Sequence, residues 1–374
     1  MVTVKDIART LEQWAPPGSA QSYDNVGLLI GNPDQTVERA LIALDVTPRV
    51  VQEAIEQRTD LLVSHHPLIF KPLKRLTTTD LVSGLALQLA QQGIAYYAIH
   101  TNLDAAPGGV SFALAEQLGL TKVRFLEPLP DSLYKLVTFV PASHFDQVRE
   151  ALAGAGAGQI GEYEACAFAT EGTGFFRGSE RTSPFIGKPG QLEKAQEYRL
   201  EVEVMRWLLP QVLQALFEAH PYEEVAYDVY PLVNPTTRVG MGAIGTLEAP
   251  EPLSTFLERL CRRLETPAVR FAGNPDQSVQ RIAVCGGAGA SLIGAAQRAG
   301  ADAYVTADIT YHRFFETMNL EGVPEMAIID AGHYETERVT EALLQTHLQE
   351  VFPSVTWQRT RHRTSPMQVF VSST

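Results

Sequence analysis

The chain has 374 residues, 45% of them hydrophobic and 20% charged, so it is long enough for two or three domains and too apolar to stay disordered. A formal net charge of −13 gives no general attraction to nucleic acid, whose binding rests on Lys and Arg neutralising phosphates, and no window reaches the roughly 18 to 20 apolar residues that span a bilayer. The opening residues lack the basic and apolar regions of a signal peptide, and Cys166, Cys261 and Cys285 have no CxxC spacing, which predicts a cytoplasmic protein with buried, reduced thiols rather than a disulfide framework or a thiolate zinc knuckle.

In chain order, Val4, Ile7, Leu11 and Trp14 recur at helical spacing until Pro16-Pro17-Gly18 stops them. Tyr23 to Gly27 reads as a turn, and residues 40–45 as an apolar strand. Thr47-Pro48 is a helix start, with the hydroxyl as cap and proline in the first helical position. The run Leu61-Leu62-Val63-Ser64 is a buried strand that delivers His65 and His66, and Pro67 turns the chain there. A helix over residues 80–92, a strand over 94–100 and a helix over 110–118 complete a βαβ rhythm. After about residue 128 the rhythm changes. A strand over 133–140, a helix capped by Ser143, a strand over 163–170, a loop over 172–190, an alternating strand from Tyr198 to Val204, a helix over 210–220 and a strand over 225–232 follow. That βαββαβ order predicts an inserted ferredoxin-like α+β domain over residues 131–233. The flanking stretches, residues 1–130 and 234–374, should together form one α/β core, a sheet built from βαβ units flanked by helices. In the second part, residues 252–264 read as a helix and 282–285 as a strand. Gly286-Gly287-Ala288-Gly289 is a tight turn, and strands follow at 303–306, 326–330, 355–360 and 369–371. A single helix should run from near His333 past Leu344.

Chemistry collects at strand ends. His65 and His66 follow one strand, Asp104 lies in a loop after a second, and His333 and Glu337 follow a third, four residues apart on one helix face. Three imidazoles and two carboxylates exceed the three protein ligands that a single catalytic zinc takes, so the natural reading is two divalent metal ions with a shared carboxylate. Imidazole and carboxylate donors suit Zn, Fe, Mn, Co or Ni. Asp308, Tyr311 and His312 also follow a strand and could orient a ligand or move a proton, as could His100. We therefore carry His100 and His312 as candidate catalytic residues. Ser64 has no GxSxG elbow, and His220 at a helix end reads as structural.

The stretches Ser64-His65-His66-Pro67, Thr101-Asn102-Leu103-Asp104, Gly286-Gly287-Ala288-Gly289 and Asp330 to Glu337 together resemble the signatures of the Nif-three-like dinuclear-metal-centre family, the GTP cyclohydrolase I type 2 homologues. The insert, with His220-Pro221-Tyr222-Glu223-Glu224 near its end, resembles the CutA- or PII-like domain of the longer members. The resemblance implies that His65, His66, Asp104, His333 and Glu337 are metal ligands, with Glu337 shared by two cations. It further implies a toroidal homohexamer and a small-molecule substrate of the purine nucleotide class, such as GTP. Two functions remain open at this point: a metal-dependent hydrolase, or a non-enzymatic metal-binding or regulatory oligomer whose insert senses a ligand.

Overall fold

Short apolar runs set the frame of the molecule. The computed structural model describes residues 1–370, and its strands are, in chain order, Gly27–Ile30 (β1), Arg39–Ala43 (β2), Leu61–Ser64 (β3), Ala95–Ala98 (β4), Thr121–Pro128 (β5), Leu133–Pro141 (β6), Ala167–Phe176 (β7), Glu193–Met205 (β8), Tyr227–Leu232 (β9), Gly240–Pro252 (β10), Arg270–Ala272 (β11), Ser278–Ala288 (β12), Ala303–Ala307 (β13), Ala327–Asp330 (β14) and Thr356–Arg359 (β15). They form three sheets in two units, one comprising Met1–Pro128 with the chain from Val239 onward, the other Leu129–Arg238.

The larger unit holds two sheets where the sequence suggested one. The first has the order β1-β4-β3-β2-β15, with β4, β3, β2 and β15 parallel. The second has the order β11-β14-β13-β12-β10-β5, with a parallel centre of β12 to β14 and antiparallel edges. An alternation of strands and helices specifies parallel pairing within each half but not whether the halves share hydrogen bonds, and here they do not. Helices cover both faces of the first sheet. Ile42, Val63 and Tyr97 pack with Ile7 and Leu344 on one side, while their chain neighbours Leu41, Leu62 and Tyr96 pack with Val50, Leu85 and Leu89 on the other. The second sheet is covered likewise, by Leu114 and Phe256 on one side and Ile293 and Ala296 on the other. Burial on both faces is why these strands read as unbroken apolar runs.

The helix starts follow local chemistry. Thr3 caps Val4–Trp14 in a reciprocal box with Asp6, Thr47 caps Pro48–Glu56, and Asp80 caps Leu81–Gln91. Several expectations are corrected. Asp104 is the last residue of a short helix, Thr101–Asp104, rather than part of a loop. Gly286, Gly287 and Ala288 end β12 instead of forming a turn, and the helix that follows is Ile293–Arg298. The helix after His333 breaks at Arg338 into His333–Glu337 and Val339–Val351. Val369 and Phe370 are not in a strand, and Val371 lies outside the described residues. All three thiols are free, but only Cys285 is buried; Cys166 and Cys261 are half-buried.

In the smaller unit the strand order is β7-β8-β6-β9, entirely antiparallel. The helices Phe145–Gly154 and Leu209–Ala219 set Val148, Leu152, Val212 and Leu216 against Leu136, Val140, Leu200 and Val202. Ser143 does not cap the first of them, and its hydroxyl lies 3.0 Å from His144 Nδ1 instead. The strand expected over 163–170 runs from Ala167 to Phe176, so the chain expected as a loop is partly a long hairpin.

Candidate metal centre

Sheet register decides which residues reach the site. In the first sheet Ala43 lies beside Ser64 and Ser64 beside Ala98, so Asp45, His65, His66, His100 and Asp104 all leave at one carboxyl edge. In the second, Thr306 lies beside Asp330, so Asp308, His333 and Glu337 leave at its carboxyl edge. The two edges meet: His66 Nε2 lies 3.3 Å from His333 Nε2. His65, His66 and His100 form one group whose ligand atoms lie within 4.8 Å of one another, and His66, His333 and Glu337 form another.

Each ring is aimed by a partner at Nδ1. His65 Nδ1 lies 2.8 Å from the Ile99 carbonyl, His66 Nδ1 2.7 Å from Asp45, His100 Nδ1 2.9 Å from Asp24 and His333 Nδ1 2.7 Å from Asp308. An acceptor at Nδ1 fixes a proton there and turns Nε2 toward the centre. The tethers are themselves anchored: Asp45 accepts from Thr364 Oγ1 at 2.5 Å, and Asp24 accepts from the Thr101 amide and hydroxyl.

The charges are tightly coupled. Glu337 is 3% exposed; burial opposes its charge, but His333, His65 and His66 outweigh burial and hold the carboxyl well below its ordinary range. Burial likewise works against a charge on His66, yet its bonds to Asp45 and Glu337 hold it at about 10. His333 is held at about 9 against burial by Glu337 and Asp308. The fully buried His65 is pushed down by burial, while burial and the charge of Glu337 push Asp104 up.

Whether this set suits a cation can be judged from its unpaired atoms. His65 Nε2 and Asp104 Oδ1, 3.7 Å apart, are buried without a hydrogen-bond partner among the described residues. Buried polar atoms are rarely left so, and two such electron-pair donors facing each other fit a divalent cation. Gly287 is shaped to the same purpose. A Cβ on it would stand 2.1 Å from Glu337 Oε1 and 3.0 Å from His333 Nε2, and its φ of +59° disfavours a side chain in any case. Gly286 and Gly287 leave β12 bare of side chains where the carboxylate enters.

The sequence pattern of the Duf34/NIF3 (NGG1p interacting factor 3) family matches residues 2–366. The chain belongs to the Duf34/NIF3 family. It is 40% identical to a Bacillus subtilis protein called GTP cyclohydrolase 1 type 2 homolog, over 91% of each chain. A relative of the same name from Halalkalibacterium halodurans is 40% identical over 87% of each chain. Among solved structures, a Bacillus cereus protein related to NIF3 superposes with a TM-score of 0.80 at 39% identity, and a Staphylococcus aureus protein with 0.77 at 31%, each covering 99% of both chains.

Within this Duf34/NIF3 chain, the structure brings His65, His66, Asp104, His333 and Glu337 together and adds His100 to them. It does not bring in His312, which is exposed on the turn Tyr311–Phe315 against the Tyr311 ring and makes no contact with the cluster among the described residues. Of Asp308, Tyr311 and His312, it is Asp308 that lies at bonding distance from a ring of the cluster, at His333 Nδ1. Ser64 is occupied, its hydroxyl donating to the His66 carbonyl at 2.7 Å. His220 bonds the Phe139 carbonyl at 3.0 Å, inside the smaller unit. Sequence reasoning missed Asp24 and Asp45 as tethers. Asp45 ends an apolar strand as His65 does and carried the same signal; Asp24, in a turn before a short strand, carried none.

Proposed function

We propose that His65, His66, Asp104, His333 and Glu337 hold two divalent metal ions and that the protein is a metal-dependent hydrolase. The observation that carries this reading is the placement of Glu337. Its Oε1 faces His65 at 3.8 Å, while its Oε2 faces His66 at 2.8 Å and His333 at 3.1 Å. A carboxylate that addresses separate imidazoles with separate oxygens suits a bridge, because a shared anion offsets the repulsion between two close dications. His65 and Asp104 would serve one ion, and His66 and His333 the other. When bound, such a pair supplies Lewis-acid activation of water and of an electrophilic centre at neutral pH. The donor set suits Zn, Fe, Mn, Co or Ni alike.

The chain's own groups would do the rest. Asp45, Asp308 and the Ile99 carbonyl fix three rings so that little reorganisation accompanies binding. His100 is half-buried with Asp24 at its Nδ1, and Asp24 is held at about 2 because its bonds to His100 and Thr101 outweigh burial. That arrangement suits His100 to take or give a proton at Nε2. The substrate class, a purine nucleotide such as GTP opened hydrolytically, rests on the name that the relatives carry. We read residues 129–238 as a ferredoxin-like insert on their fourth-first-third-second strand order. A cytoplasmic homohexamer belongs to the same reading, supported by the family membership; among the described residues no helix is long and apolar enough to cross a membrane.

Elemental analysis tests the bridge. Glu337→Gln keeps size and helix propensity but removes the charge, so metal content should fall from about two ions per chain to one or fewer with circular dichroism unchanged. Glu350→Gln, exposed on the next helix, is the control and should match wild type. Full occupancy in Glu337→Gln removes the bridge. For the reaction, metal-loaded wild type should consume GTP in a chelator-sensitive manner and His65→Ala should not; equal turnover by both would remove the hydrolase reading.

A further inference from the structure

The smaller unit contains a cavity of its own. It measures about 620 Å³ and lies between β6, β7 and β8, the loop 177–186 and the segment 222–226. That volume suits a small organic molecule. Its lining is rich in aromatic rings: Tyr222 lies 6.0 Å from Phe176 and 6.2 Å from Phe185, and Phe139 lines the cavity as well.

One carboxylate in that wall is out of keeping with the rest. Glu197 is only 8% exposed, and its Oε1 accepts the Tyr222 hydroxyl at 2.7 Å. On the same strand Glu201 is paired with Arg199 and Glu203 with Lys135, and the half-buried Glu193 accepts the Lys188 amide, but the buried Glu197 has no basic partner among the described residues. A buried carboxylate without a counter-charge is costly. The strand alongside has been cleared for it: a Cβ on Gly174 would stand 2.1 Å from Glu197 Oε2. The lining as a whole carries four carboxylates against two guanidiniums. Ring faces attract cations, and the one deeply buried charge is negative. The rings around Glu197 offer no donors for a bare metal ion, and the other three carboxylates of the lining are exposed, so the complement is a cation with an apolar body.

We propose that this cavity binds a small organic cation, a substituted ammonium or amidinium, with its charge against Glu197 Oε2 and its body among Phe176, Phe185 and Tyr222. The site is separate from the imidazole cluster, and its failure would leave the metal reading untouched.

Calorimetric titration of full-length, metal-quantified protein with benzyltrimethylammonium tests it, with benzoate and benzyl alcohol as the anionic and neutral counterparts. Wild type should bind the cation saturably and bind benzoate not at all. Glu197→Gln keeps an acceptor for Tyr222 and removes an uncompensated charge, so it should melt no lower than wild type, retain its metals and bind the cation at least tenfold more weakly. Tyr222→Phe keeps the ring and should lose less than Glu197→Gln. Equal affinity in wild type and Glu197→Gln, or benzoate binding as well as the cation, overturns the proposal. So does a wild type that binds no cation; if Glu197→Gln then also changes the oligomeric mass in light scattering, the occupant is a basic side chain of a second copy.

Discussion

At the scale of single residues, the site depends as much on what holds the imidazoles as on the imidazoles themselves. Asp45 touches His66 only at Nδ1, on the far side of the ring from Glu337. Asp45→Asn leaves an acceptor in place but removes the charge that makes the ring a strong donor. Metal affinity should drop by about 10- to 100-fold in competition with a chromogenic chelator, while the melting temperature changes little. Unchanged affinity would mean that the ring is positioned by packing alone. Gly287 makes the complementary case. Gly287→Ala places a methyl group where Glu337 Oε1 now lies, so it should lower metal content and cost about 1–3 kcal/mol through strain and displacement of the carboxylate. Metal content equal to wild type would show that Glu337 can move aside without loss. Glu335, two residues away, cannot serve as a control for Glu337, because it is buried and paired with Arg363.

At the scale of elements, the convergence of His65, His66, His333 and Glu337 was legible because it needs only local rules. A strand that stops abruptly leaves its next residues at the carboxyl edge, and an i, i+4 pair shares a helix face. What was not legible depends on register between strands distant in sequence. Asp24 meets His100 only because β1 lies antiparallel beside β4, and nothing near Asp24 announces that pairing. The glycine run after Cys285 looked like a turn because glycine permits turns, whereas the reason for it here is the close approach of Glu337 from another element. Two sheets instead of one could not be read at all, since both halves show the same alternation. The break at Arg338 has its own energetic signature. It starts the helix Val339–Val351, in whose first turn Glu341 accepts the Leu44 amide at 2.9 Å. Burial pushes the Glu341 carboxyl up to about 7 against the pull of that amide. A carboxyl raised in the folded state contributes stability that is present below its unfolded value and lost as pH rises through about 7. Glu341→Gln removes that loss. Thermal melts should show the variant gaining on wild type between pH 5 and pH 8, by an amount on the order of 1–2 kcal/mol at the upper end. A constant difference across that range would show that Glu341 is not the group responsible.

At the scale of the whole molecule, the inserted unit is grafted onto a hairpin. β5 ends at Pro128 and β10 begins at Gly240, and these two residues are direct partners in the antiparallel register of the second sheet. The chain therefore leaves the larger unit and returns to it at adjacent positions, as across an ordinary β-turn. All of His65, His66, Asp104, His333 and Glu337 lie outside the excursion, as do their tethers Asp24, Asp45 and Asp308. The pairing of β5 with β10 continues to Thr121 opposite Thr246, so its stability comes from the sheet rather than from what is attached at its end. Replacing Leu129–Arg238 by Asn-Gly, which with Val239 makes a three-residue glycine-containing loop between Pro128 and Gly240, should give a folded chain. Its metal content per chain should equal that of the full-length protein, and the benzyltrimethylammonium site should be gone. A folded truncated chain that holds no metal would show that residues 129–238 take part in the site and that the two units are not separable. Loss of metal together with loss of the circular dichroism signal would instead place the role of the insert in folding, which the direct pairing of Pro128 with Gly240 argues against.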